Sequence, residues 1–183
     1  YVGGLSNSTR GVFGGGMENF SNIRNVMEYV TIGSTGNVTD FGDLAATTAN
    51  PAGLASSTRG VFGGGQTSGT VALGQRGGAS SSVRGIYFGG RTGGGSVSDV
   101  IDYITIASTG DATDFGNLTA ATREVTATSN LTTAVRGGGN TGSYVNVIDS
   151  VIINTTGDAS DFGDLTVARS ASAATSNGHG GLA

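Results

Sequence analysis

A chain of 183 residues has room for one domain of ordinary size, yet this one gives 35 positions to glycine and only 12% to charged side chains. Its net charge of −4, with nine Arg and no Lys, leaves no basic footprint for nucleic acid or an anionic membrane. The absence of Cys excludes disulfides and thiolate metal sites, and no apolar run approaches the roughly 18 residues of a spanning helix.

Aliphatic and aromatic runs along the chain argue for a folded protein rather than a disordered one. It begins at Tyr1 without Met or a signal peptide, which points to processing or to a fragment. The first apolar run, RGVFGGG (10–16), closes on glycines, as a short strand does at a tight turn. NVMEYVTI (25–32) follows, rich in the β-branched and aromatic residues that suit strands. A turn then leads into TGNVTDFGDL (35–44), a third short strand. The small-residue connection AATTANPAGLASS (45–57) can carry a fourth, weak strand.

At this point the pattern starts again, because STRGVFGGG (8–16) recurs at 57–65 and, more loosely, as SVRGIYFGG at 82–90. The second copy loses its later half: QTSGTVALGQRGGASSS (66–82) stands where a strand and a DFG motif are expected. DVIDYITI (99–106) with TGDATDFGNL (109–118), and NVIDSVII (146–153) with TGDASDFGDL (156–165), complete the later copies. ARSASAATSNG (168–178) is the counterpart of the small-residue connection. A repeat of about 49 residues accounts for this spacing, with units near 1–50, 51–81 (truncated), 82–130 and 131–183. No window has a helical period with caps, so the expected fold class is all-β, with four short strands in each complete unit.

Recurrence also bears on function. The glycine runs lack the Lys and the following helix of a phosphate loop, so they are read as turn glycines. Arg10, Arg59, Arg84 and Arg136 recur with the repeat and are expected to be structural struts, each bridging to an aspartate among Asp40, Asp43, Asp114, Asp158, Asp161 and Asp164. Phe41, Phe115 and Phe162, with Phe13, Phe62 and Phe88, are expected to carry the core. Asp158, Asp161 and Asp164 are weak Ca2+ candidates, since hard cations want several oxygens; Asp is equally an ordinary turn residue. No other cofactor is expected. His179 is the only His, so a catalytic triad has little to draw on, and the acids repeat instead of standing alone; no enzyme is expected. Six Asn-x-Ser/Thr sequons, at Asn7, Asn19, Asn37, Asn117, Asn130 and Asn154, matter only in a glycosylating pathway.

The diglycines Gly14–Gly15, Gly89–Gly90 and Gly137–Gly138, followed by Tyr29, Tyr103 and Ser150 and then by Phe41, Phe115 and Phe162, resemble the blade pattern of Kelch repeats. The chain departs from that pattern in having no Trp and in placing Ser at the last Tyr position. The resemblance implies β-propeller blades. At the level of wording, STRGVFGGG, NVIDSVII, TGDASDFGDL and SNGHGGL (176–182) are similar to repeat regions in structural proteins of tailed, especially marine, bacteriophages. That resemblance implies a virion component of the tail, fibre or spike, or more broadly an extracellular place. The other reading is a cell-surface adhesin or fibre subunit that binds glycan or protein.

A closed propeller takes about four blades or more, and three complete units with one truncated unit fall short. Both chain ends fall in the same phase of the repeat, which leaves two open sheet edges, and open edges recruit partners. The expectation is therefore either a larger propeller whose other blades are missing from this sequence, or an assembly in which further copies of the chain or other virion proteins complete the sheet, with a host-surface glycan or protein as a target. Neither nucleic acid nor membrane insertion is expected.

Overall fold

The computed structural model describes residues 2–19, 22–67, 75–92 and 95–176. Among these residues the fold is all-β: sixteen strands in five antiparallel sheets, with no helix. Unit one holds β1 (Gly3–Ser6), β2 (Arg10–Gly14), a side hairpin of β3 (Met17–Glu18) and β4 (Asn22–Ile23), then β5 (Val26–Thr31) and β6 (Thr39–Asp43). Its main sheet runs in the order β1-β2-β5-β6. Among the described residues unit two has β7 (Ala52–Ala55) and β8 (Gly60–Gly63), paired with each other. Unit three holds β9 (Gly77–Ser80), β10 (Arg84–Phe88), β11 (Val100–Thr105) and β12 (Thr113–Asn117). Unit four holds β13 (Thr126–Ser129), β14 (Thr133–Gly137), β15 (Val147–Ile152) and β16 (Ser160–Asp164). Both of these sheets repeat the simple sequential order of unit one.

The small-residue connections carry the first strand of each following sheet, as β7 shows in AATTANPAGLASS. The cuts expected at 81/82 and 130/131 therefore separate paired strands, β9 from β10 and β13 from β14. Composition hid these first strands, because GGAS has no β-branched residue and TATS, though it alternates Thr, has no apolar bulk.

Two local devices shape every complete unit. The first is a glycine pair at positive φ after the second strand: Gly15 and Gly16, Gly64 and Gly65, Gly89 and Gly90, Gly138 and Gly139. A Cβ on Gly89 would collide with the carbonyl oxygen of Thr122, so the position needs glycine for close approach as well as for its backbone angle. The second is a β-bulge in the fourth strand. Met27 faces Gly42 while Glu28 faces Asp40, so Phe41 has no opposite residue; the same shift frees Phe115 and Phe162. Glycine at positive φ follows each of these phenylalanines, and the Asp40 and Asp161 carboxylates accept from the Gly42 and Gly163 amides. The DFG motif is thus a bulge that pushes its Phe off the sheet, toward the position of the next unit.

The first strands gather side by side, β1 on β7, β7 on β9 and β9 on β13. Residues 174–176 join them, and together these segments line a cavity of about 220 Å3. A run of hydroxyls ties the segments. Ser80 Oγ donates to the Ala55 carbonyl at 2.9 Å, Ser129 Oγ to that of Ser80 at 2.7 Å, and Ser176 Oγ to that of Ser129 at 2.5 Å. Ser80 and Ser129 also accept the amides of Ala55 and Ser80, so each side chain satisfies both backbone groups of its neighbour.

The main core lies between units three and four, where Ile86, Phe88, Ile101, Phe115 and Leu118 meet Val125, Ala134, Val151 and Ile153. A smaller cluster of Ala52, Leu54 and Tyr87, with Ile104 against it, joins units two and three.

Candidate binding cleft at the shortened unit

The recurring arginines do three different things. Arg10 lies over the Tyr29 ring at 4.7 Å and Arg84 over the Tyr103 ring at 4.5 Å, cation–π contacts instead of the expected aspartate bridges. The side chain of Arg84 also donates to the Ile153 carbonyl of unit four at 3.0 Å. Arg59 is exposed, and its side chain has neither a ring nor a carboxylate partner among the described residues. Arg136 is buried and does pair with an aspartate, but with Asp149 on the facing strand, at 2.5 Å and 2.9 Å. Its remaining nitrogen donates to the carbonyl of Gly138 at 3.0 Å, and Asp149 accepts from Thr119 of unit three.

Arg136 is not the fourth copy of the TRG arginine. Register places Arg10 opposite Thr31 and Arg84 opposite Thr105, and the unit-four residue in that place is Thr133, opposite Ile152. Arg136, opposite Asp149, occupies the place of Phe13 and Tyr87. A sign of this lay in the spacing: the glycine pairs begin at 15, 64, 89 and 138, in steps of 49, 25 and 49, whereas the step from Arg84 to Arg136 is three residues longer than 49.

The phenylalanines divide by neighbour. Phe88 and Phe115 are buried, but Phe13, Phe41 and Phe162 are 43%, 50% and 65% exposed and are not core residues. Phe62 is half-buried. Phe115 is covered because the Gly157–Ala159 turn of unit four docks on its strand: the Gly157 amide donates to the Phe115 carbonyl and that of Ala159 to the Asn117 carbonyl. Asp158 takes part in this docking by accepting the Asn117 amide at 2.9 Å, and Asp161 caps its own bulge. Two of the three calcium candidates thus hold backbone amides, and no group of three or more acids or His gathers among the described residues. His179 lies outside the described residues.

A concavity lies where unit two stops. With no third or fourth strand beside β8 among the described residues, a cleft of about 510 Å3 opens between Arg59, Val61, Phe62 and Gly63 on one side and Tyr87, Asp102, Ile104, Ile106 and Ala112 of unit three on the other. Its base holds an ion pair, Arg76 to Asp102 at 2.6 Å, partly shielded from water. The Tyr87 ring passes so close to Gly63 that a side chain there would strike its hydroxyl. Tyr87 is only 6% exposed, and its hydroxyl and the Nε of Arg76 have no hydrogen-bond partner among the described residues. Burial pushes the Tyr87 hydroxyl up from the ordinary tyrosine range, opposed by the nearby Arg76 guanidinium, so it stays a protonated donor. The sequence marked this region as truncated, but Arg76, Tyr87 and Asp102 carried no repeat signal that singled them out.

No protein-family model matches the chain, and no curated protein is significantly similar to it.

Proposed function

We propose that this chain is a non-enzymatic structural and adhesive repeat protein, built from Kelch-like propeller blades in an open arrangement and completed by neighbouring chains at its bare sheet edges. The observation that carries the reading is the contrast between Phe115, 3% exposed beneath the turn of the next unit, and the same residue of the same motif at Phe162, 65% exposed. A bulge that aims an aromatic ring outward gains stability only when another unit covers it. The arrangement of first strands around a shared cavity, with equivalent positions adjacent, supports a blade-like reading of the units.

Rigid sheets with polar loops and several weak contacts suit multivalent attachment, in which avidity supplies what single contacts lack. The resemblance in wording to phage structural repeats makes a tail, fibre or spike of a virion the proposed setting. Sedimentation velocity across a wide concentration range tests the assembly. The expected result is association that grows with concentration and is lost in Phe162→Asp; a monomer at every concentration overturns the reading.

A further inference from the structure

We propose that the cleft at unit two accepts a β-strand donated by another polypeptide, one in which an acidic residue is followed directly by Tyr. The inference rests on the reading of the chain as an assembly module but concerns a different surface from the edge at Phe162. The complete units supply the template. Their third strands pair with their second strands in one register: Glu28 faces Phe13, Asp102 faces Tyr87 and Asp149 faces Arg136. One position further on, Tyr29 faces Val12, Tyr103 faces Ile86 and Ser150 faces Val135. A strand laid on β8 in this register places its acid opposite Phe62 and its next residue opposite Val61.

Arg59 identifies that next residue. In the complete units the Arg and the Tyr come as a pair or not at all. Units one and three stack Arg10 on Tyr29 and Arg84 on Tyr103, while unit four has Thr133 and Ser150 in the two places. Unit two alone keeps the arginine, Arg59, with no third strand among the described residues to bring the ring. The backbone makes the same point. The amides of Gly15, Gly89 and Gly138 each donate to the first residue of the third strand, Val26, Val100 and Val147, at 3.0 Å. Gly64 stands in their place and has no such bond among the described residues.

The opposite wall expects apolar cover. Val151 and Ile153 of unit four are buried against the strands of unit three, and Ala159 packs on the same cluster. Of their unit-three counterparts, Ile106 is already buried, whereas Ile104, half-buried, and Ala112, exposed, line the open cleft. Tyr87, whose buried hydroxyl has no hydrogen-bond partner among the described residues, also lines this space. A donated strand covers the apolar side chains, pairs with the edge of β8 and returns a ring to Arg59.

The test uses a labelled peptide with the sequence of residues 99–118, DVIDYITIASTGDATDFGNL, which holds both missing strands. Fluorescence anisotropy with the whole chain is expected to give saturable binding. Replacing the Tyr of the peptide by Ala weakens binding by roughly threefold to thirtyfold, the range of a cation–π contact from exposed to desolvated. Arg59→Met in the protein weakens binding of the Tyr peptide by a similar factor and leaves the Ala peptide unaffected, as a coupled pair requires. Amide resonances of Gly60, Gly63 and Gly64 shift on addition of the peptide. No saturable binding, or an affinity that ignores Arg59→Met, overturns the proposal. This result is independent of whether the protein sediments as a monomer, so the failure of one idea is distinguishable from the failure of the other.

Discussion

Units three and four meet as two complete sheets, whereas units two and three meet as half a sheet against a whole one. At the first junction Phe115, Ile101, Val151 and Ile153 are buried, and the Arg136–Asp149 pair is closed off with every major group bonded. At the second the corresponding wall, Ile104 and Ala112, stays partly open, and the Arg76–Asp102 pair keeps an aspartate that is 23% exposed. The apolar wall positions of the two junctions correspond, Ile104 to Val151 and Ala112 to Ala159, although Tyr87 stands in the place of Arg136. At those apolar positions what differs is whether a neighbour is present, so their burial belongs to the pair of units and not to the motif.

The contrast can be broken most forcefully at its charges. Asp149→Ala leaves a buried guanidinium without its counter-ion and is expected to cost about 3–5 kcal/mol in urea unfolding. Asp102→Ala removes a pair that water partly screens and is expected to cost less, about 1 kcal/mol. Equal losses at the two positions would erase the distinction between the junctions. Next come the aromatics. Phe115→Ala is expected to lose about 3–5 kcal/mol, toward the lower end where the docked turn can settle into the gap. Phe162→Ala in the dilute, unassembled protein is expected to stay within about 0.5 kcal/mol of the parent. An intermediate effect sharpens the comparison at the inner strands: Ser129→Ala strips the carbonyl and amide of Ser80 of their partner, for about 1–2 kcal/mol in the same measurement.

Much of this architecture could be read from residue types alone, because strand-forming runs and paired glycines act locally. VIDYIT makes a strand wherever it falls, and the glycine pair marks the end of the second strand in all four units. What escaped reading depends on contacts between units. Phe162 and Phe115 sit in nearly identical wording, and only the turn at Gly157–Ala159 makes one buried and the other bare. Arg136 resembled a fourth TRG arginine because an RG pair repeats; its three-residue offset becomes meaningful only once Asp149 stands opposite. The entries to β7, β9 and β13 have a residue at positive φ, Asn50, Gln75 and Glu124, and Ala171 holds the same angle before residues 174–176. Only the first of these is a type that favours such a backbone, so tertiary constraint and not local preference sets the angle. The candidate cleft was legible as a loss of wording after Gly65, but not as a place with an arginine awaiting a ring.

The serine contacts between the first strands have a directional consequence. Each hydroxyl reaches back to a main-chain carbonyl of the preceding unit, and a carbonyl is present whatever side chain stands there. A unit that brings its own serine therefore needs nothing special to be attached to. Ala55 has no hydroxyl to offer unit one and still receives Ser80. This one-way, residue-blind coupling lets the series tolerate a unit cut to half its length without losing the phase of those that follow.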